Sequence, residues 1–520
     1  KSDQSRARAA ALARARARER NARLRQSNIL AARAEDQLAG GEIDAAIANF
    51  REALNLNAKN ADAAVGLSDA LTVKGIETSG DSAKKDAAIY LEEAVKLNEK
   101  NEIACAKLGE IYDSEGRNAD AIKFYEMALA VDPELSSLYL PVGLAYLEAE
   151  RLTDASDYLL KAENSGVETN ELKFARGVLL VKQNRDGEAL TDFEAVIAAE
   201  PLNADAHYQR AMILERAGRT DDALAAYKQA VTINDNMPDA WYAIGVIYYN
   251  TGAFEESAAA YQTVLKYDPA NARAHANLAS AYRQLEKYQE ANAEYRAANE
   301  NGIDKDADLY SEWGYCLGKT HEWDKSVARL ETASALSPTA VDNNNVGWGY
   351  YNAGRTDKAN KNDEEAAKKF ELAKLSLQKA VEMDPQLDAA HLNLGATNNS
   401  LGDFEAAIAA LTIAVGLHND WVIAMNQLGL AYRGSGNLAE AIAQFGRVTT
   451  LDSGNRFGLY NLGEVYFLAG DKKQAKKVHN QLKKIDPTLA NSLNDVLSGK
   501  VVLDEAKRKL KVPRIPRIPF

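Results

Sequence analysis

The stretch "NEIACAKLGEIYDSEGRNADAIKFYEMALAVDPE" (residues 101–134) has a near copy in "MPDAWYAIGVIYYNTGAFEESAAAYQTVLKYDPA" (237–270). Small, bulky and proline positions recur in step. A 34-residue unit is therefore repeated, and repetition at such a period outranks every other clue to fold. Outward from these two copies the unit can be followed thirteen times. One column holds Gly109, Gly143, Gly177, Gly245, Gly314, Gly347, Gly395, Gly429 and Gly463, with Ala34, Ser68, Ala211 and Ala279 in the other four units. A second column, twelve residues on in most units, is wholly small, from Ala46 and Ala87 through Ser257 and Ser326 to Ala441 and Ala475. Four residues later comes a bulky side chain, including Phe50, Tyr125, Phe193, Tyr227, Tyr261, Tyr295 and Phe445. Pro133, Pro201, Pro269, Pro338, Pro385 and Pro487 close six units.

Within a unit, apolar residues recur at three-and-four spacing in two segments joined by a short turn that often contains Gly. That pattern predicts two antiparallel helices. Small side chains at both columns let the helix axes come close, and the bulky residue fills the space left between neighbours. One pair cannot bury its own apolar face, so each must stack on the pairs either side.

These columns resemble those of the tetratricopeptide repeat, over about residues 27–489. The resemblance implies an all-α fold, a right-handed superhelical solenoid of helix-turn-helix repeats. The expected organisation is a basic, Ala/Arg-rich helical arm (1–27), the solenoid of about thirteen repeats (28–489), C-terminal capping helices (490–510) and an extended Pro/Arg/Ile tail (511–520). Two units are longer than the rest. Residues 76–86, "IETSGDSAKKD", read as a flexible loop by composition. The charged insert within 357–374 is rich in helix formers and is expected to lengthen both helices of the tenth pair.

Composition narrows the function. Hydrophobic residues make up 46% of the 520 and charged residues 26%, enough to bury a core, and no run of 18 apolar residues appears. The formal charge of −13 is uneven: residues 1–27 carry +7 and the remainder −20. An acidic body repels phosphates and argues against nucleic acid as the main ligand. Cys105 and Cys316 form no CxxC pair, so neither a disulfide framework nor a zinc site is indicated. The chain starts at Lys1, as a processed and exported form would, and the compartment is otherwise unassigned.

Catalytic signatures are missing: there is no HExxH, no GxSxG and no phosphate-cradling glycine loop, and no cofactor is expected. His207, His275 and His391 all fall at the fourth position of their units, which favours packing over ligation. The resemblance points instead to a peptide groove lined by the first helix of each pair. Carried onto this sequence, the groove positions are Phe174, Tyr208, Met212, Tyr242, Tyr249, Trp348 and Tyr351, with Val178, Val181 and Val246 among them. Towards the C-terminal end the sixth position holds Asn277, Asn345, Asn393, Gln427 and Asn461, interrupted by Glu312. A side-chain amide donates to a peptide carbonyl and accepts from its N–H at once, so a ladder of them suits an extended backbone. The family's lysine/asparagine clamp for acidic C-termini is not matched.

The tail "KVPRIPRIPF" (511–520) carries Pro513, Pro516 and Pro519 every third residue, which forbids a helix and favours an extended, polyproline-like strand. Arg514, Ile515, Arg517, Ile518 and Phe520 would be its contact residues, on a neighbouring subunit. Two functional readings follow. The first is a non-enzymatic scaffold that binds extended segments of other proteins in its groove. The second is a structural subunit whose tail and basic arm join copies head to tail into an oligomer or filament.

Overall fold

A computed structural model describes residues 2–78 and 83–499. All regular structure among them is helical, and the chain divides into two compact units. In the first, Lys1–Asp235, six pairs follow one another. They are α1 (Ser2–Ala39) with α2 (Ile43–Leu56), α3 (Ala61–Thr78) with α4 (Lys84–Leu97), α5 (Glu102–Ser114) with α6 (Asn118–Val131), α7 (Tyr139–Glu148) with α8 (Leu152–Asn164), α9 (Asn170–Lys182) with α10 (Asp186–Ala199), and α11 (Ala204–Arg216) with α12 (Thr220–Ile233). The second, Asn236–Phe520, adds seven pairs and a lone last helix. These are α13 (Pro238–Asn250) with α14 (Phe254–Tyr267), α15 (Ala272–Gln284) with α16 (Tyr288–Glu300), α17 (Ala307–Lys319) with α18 (Trp323–Leu336), α19 (Ala340–Ala359) with α20 (Asp363–Met383), α21 (Asp388–Leu401) with α22 (Phe404–Leu417), α23 (Val422–Gly434) with α24 (Leu438–Leu451), α25 (Arg456–Leu468) with α26 (Lys472–Ile485), and finally α27 (Pro487–Leu497). The chain is an all-α solenoid of thirteen helix pairs, stacked within each unit.

The two small columns do what close approach requires. Ala46, Ala121, Ala189, Ala223, Ala291 and Ala441 are wholly buried. A Cβ added to Gly109 would lie 2.6 Å from the Tyr125 ring, and one on Gly245 would lie 2.7 Å from Tyr261. Each column glycine is thus the seat of its own pair's bulky residue, except Gly463, which seats Leu493 of α27. Where serine replaces alanine its hydroxyl is not orphaned: Ser257 Oγ donates to Gly245 O (2.8 Å) and Ser326 Oγ to Gly314 O (2.6 Å).

Pairs are started and joined by local hydrogen bonds. Asn101, Asn203, Asn271 and Asn455 cap their first helices by accepting from the third residue on. The three histidines are turn clips. His207, His275 and His391 each bring Nε2 to the carbonyl of the closing proline six residues earlier (Pro201, 3.1 Å; Pro269, 3.1 Å; Pro385, 3.0 Å). Tyr139 reaches Pro133 O in the same way, at 2.6 Å.

The departures from the period resolve simply. The tenth pair is longer in both members, 20 residues in α19 and 21 in α20 against 13 or 14 in most others. Residues 76–78, expected as loop, are the last turn of α3, because the helix continues past its usual length, and residues 84–86 are the first turn of α4; residues 79–82 lie outside the described residues. The first helix, α1, is 38 residues, about 57 Å. Residues 4–26 are exposed throughout, and only from Ser27, Leu30, Ala31 and Ala34 does it join the stack. At the other end α27 starts at Pro487, a favoured first helical residue, and covers the last pair with Leu489, Ala490, Leu493 and Val496. The tail contact residues Arg514, Ile515, Arg517, Ile518 and Phe520 lie outside the described residues.

Candidate peptide-binding face

Within each unit the first helices of the pairs share one face, and the expected groove residues are found in three different states. In the first unit, Phe174 on α9 and Tyr208 on α11 are half-buried, each packed on the bulky residue of its own pair (Phe193 and Tyr227, ring centroids 5.5 and 5.7 Å apart). Met212, one turn on from Tyr208, is half-buried too. In the second unit Tyr242 meets Tyr261 edge to face at 5.6 Å, and Tyr249 meets Phe254 at 5.4 Å. Such edge contacts fix a ring while leaving its other face available.

Around those tyrosines the face is concave. A cleft of about 220 Å³ lies between α13 and α15, lined by Val246, Tyr249, Asn250, Tyr261, Asn277 and Ser280. Asn277 Nδ2 donates to the hydroxyls of Tyr242 (2.9 Å) and Tyr261 (3.2 Å), which leaves its carbonyl oxygen for a guest. Burial holds the Tyr261 phenol well above its ordinary value, so it stays protonated. Beside the cleft, Glu312 on α17 accepts from Tyr295 (2.5 Å), Ser280 (2.9 Å) and Arg283 (3.0 Å). The interruption in the amide column is thus a carboxylate held by three donors.

Further along α19, α21 and α23 the expectation needs correcting. Trp348 and Tyr351 do not face a groove: they are 5% and 2% exposed. Trp348 is clasped by Trp323 (5.3 Å) and Tyr315 (6.1 Å) and fills the space over Gly318, where a Cβ would meet its ring at 2.5 Å. Tyr351 packs on Phe370 in the lengthened α20. Asn345, Asn393 and Gln427 are also buried, and each has a side-chain hydrogen-bond partner within the chain. Asn393 Nδ2 donates to Asn344 Oδ1 (2.8 Å), Asn344 Nδ2 to Asn345 Oδ1 (3.3 Å), and Asn345 Nδ2 to Ser311 Oγ (3.3 Å). Asn399 Nδ2 donates to both the backbone carbonyl (3.0 Å) and Oε1 (3.2 Å) of Gln427. Every residue of α21 from Ala390 to Asn398 is buried, because inner helices press on both of its flanks. The amides form a seam between helices rather than a ladder for a guest. Asn461 on α25 is half-buried.

Several participants escaped the sequence reading. Asn250, Ser280 and Gln284 frame the cleft, Gln284 Nε2 donating to Tyr249 Oη at 3.3 Å. The seam includes Asn344 and Asn399, and the runs "NNN" (343–345) and "NN" (398–399) were its visible sign. The side-chain carbonyl oxygens of Asn393, Asn398, Asn399 and Asn426 are buried with no partner among the described residues, positions suited to ordered water. In the first unit a wider cleft of about 500 Å³ between α1 and α3 is lined by Glu35, Asp62 and Asp69 with Leu38 and Val65. Burial, and then the Glu102 charge, raise the Asp69 carboxyl above its ordinary value.

Neither thiol is a nucleophile. Burial pushes Cys105 up to about 11 and Cys316 up to about 12, so at pH 8 almost none of either is thiolate. Alkylation by iodoacetamide at that pH is expected to be negligible in the folded chain and complete in denaturant, as intact mass would show. Among the described residues no group of three or more His, Cys, Asp or Glu could hold a metal ion, and no helix is long and apolar enough to cross a membrane.

Stacked helix pairs of this period define a helical-repeat protein. The tetratricopeptide repeat model matches residues 174–238, 242–305, 347–420 and 426–489, more than half of the chain, and a second model of the same repeat matches 104–138. The chain belongs to the tetratricopeptide repeat family, whose fold is a scaffold for protein–protein interaction. It is 24% identical over 139 residues to anaphase-promoting complex subunit 3 of Schizosaccharomyces pombe, covering 27% of this chain and 21% of that protein. The match thus spans about a fifth of the relative's length. Among solved structures it is similar to the Cut9–Hcn1 hetero-tetramer of the APC/C (16% identity, TM-score 0.39, 92% of this chain and 96% of that one). It is similar also to YrrB, a tetratricopeptide repeat protein with an unusual peptide-binding site (24%, TM-score 0.29, 36% and 96%).

Proposed function

We propose that this chain is a non-enzymatic scaffold that takes extended peptide segments of other proteins on its inner face, at the tyrosine cleft of α13 and α15. One observation carries the reading. In that cleft two aromatic rings, an aliphatic side chain and three polar groups converge on a space that the chain itself does not fill. The volume, about 220 Å³, is below the roughly 300–1,000 Å³ of a small-molecule pocket and suits a single side chain entering from a longer guest. Asn277, held by two tyrosine hydroxyls, offers its carbonyl oxygen to a backbone N–H. Main-chain bonds of this kind supply affinity with little sequence demand, and the cleft supplies the preference.

Random dodecapeptides displayed on phage and selected on the intact chain test this. Selected peptides are expected to bind at least tenfold more weakly to the Tyr249→Ala and Asn277→Ala variants, a loss of about 1.4 kcal/mol or more. Binders indifferent to both changes would place recognition elsewhere on the molecule.

A further inference from the structure

We infer that the segment that fills the tyrosine cleft is residues 511–520 of a second copy of this chain, bound as a polyproline II strand. This rests on the groove reading above and names its guest. A polyproline II helix has three residues per turn, no internal hydrogen bonds and a fully free backbone. Laid on that period, "KVPRIPRIPF" sorts itself by edge: Pro513, Pro516 and Pro519 on one, Arg514 and Arg517 on the second, Ile515 and Ile518 on the third.

The cleft matches each edge. Grooves that read such strands are walled by aromatic rings and supply hydroxyl or amide donors to the guest's carbonyls. Tyr249, Tyr261 and Val246 provide an apolar space the size of one aliphatic side chain, which fits the isoleucine edge. The Tyr249 hydroxyl accepts from Gln284 and keeps its own proton to donate. Glu312 holds three donors against the four or so acceptor sites of a carboxylate, leaving one for an arginine N–H. Charge favours the same encounter. Residues 500–520 carry seven cations and two anions, whereas residues 28–499 carry a net −25. Opposite charge on the two partners speeds docking and selects the basic edge.

Reach decides between the chain's own tail and another's. From Gly499 to Ile515 the tether is 16 residues, about 55 Å when fully extended, and to Ile518 it is 19 residues, about 65 Å. From α27 back to α15 the stack crosses six inner-helix steps, about 50–60 Å at 8–10 Å each. The chain's own tail could arrive only when drawn nearly straight, which leaves it a negligible effective concentration at the cleft, so a second molecule is the favoured donor and the contact is head to tail.

Fluorescence anisotropy with a labelled 511–520 peptide, and light scattering of the full-length chain over a concentration series, test the inference together. The peptide is expected to bind the intact protein at least tenfold more weakly after Tyr249→Ala, and a peptide with Arg514→Ala and Arg517→Ala should lose a similar factor. The mean mass of the full chain should rise with concentration and return to 56.6 kDa when excess free peptide is added. If this peptide fails while library-selected peptides still bind through Tyr249, the present inference falls and the groove reading stands. A mass fixed at 56.6 kDa at every concentration overturns the second-copy assignment.

Discussion

Replacing Arg433 by methionine is expected to cost about 3–5 kcal/mol, the loss that follows when one partner of a buried ion pair is removed. The guanidinium on α23 binds the carboxylate of Glu464 on α25, and the two side chains are only 19% and 4% exposed. Tyr460 closes the same place, its phenol pushed up to about 12 by burial and then by the Glu464 charge. Without the arginine the carboxylate keeps its desolvation and loses its counter-charge. Adding Glu464→Leu in the same chain should return most of the loss, since an apolar pair of similar volume costs no desolvation. Urea unfolding followed by circular dichroism reads both variants. A single variant with an unchanged midpoint would show that the pair does not hold α23 to α25.

The second large effect is a pair of glycine substitutions with opposite sign. Gly395 on α21 lies under Leu411, and a Cβ there would stand 2.3 Å from Leu411 Cγ. Leu411 is itself wholly buried, and the flanking inner helices leave it nowhere to go. Gly395→Val should therefore destabilise by about 3 kcal/mol, at the upper end for overpacking. Gly446, inside α24, has nothing within 4 Å of its added Cβ. Gly446→Ala removes backbone freedom from the unfolded chain at no steric cost and should stabilise by about 0.5–1 kcal/mol. Thermal melts of the two variants side by side give the answer; a Gly395→Val midpoint at or above wild type would mean that the small column is not set by helix approach.

The period carried most of the fold. Small residues such as Gly109 could be placed against Tyr125 from spacing alone, and the charged insert of 357–374 was legible as added helix on both sides of its turn because it is rich in helix formers. The face was legible only in part. Position within a repeat says that Trp348, Asn345 and Asn393 turn inward, but not how near the next inner helix comes. That distance is set by residues of other repeats: Gly318 admits the Trp348 ring, and Asn344 and Ser311 take up the amides that a guest would have used. Where the flanking residues are larger, as at Tyr242 and Tyr249, the helices stand apart and a cleft survives. The cleft's polar members were hidden because Asn250 and Ser280 are commonplace on any helix surface.

The amide seam has a mechanical consequence. A stack of helix pairs behaves as a coiled spring, lengthening when neighbouring coils tilt apart. Between α19, α21 and α23 that tilt must first break the Asn393–Asn344 and Asn399–Gln427 bonds, and uncover α21, which is otherwise buried from Ala390 to Asn398. Under tension on the second unit, elongation will start at other pairs, and this segment will travel as a rigid link.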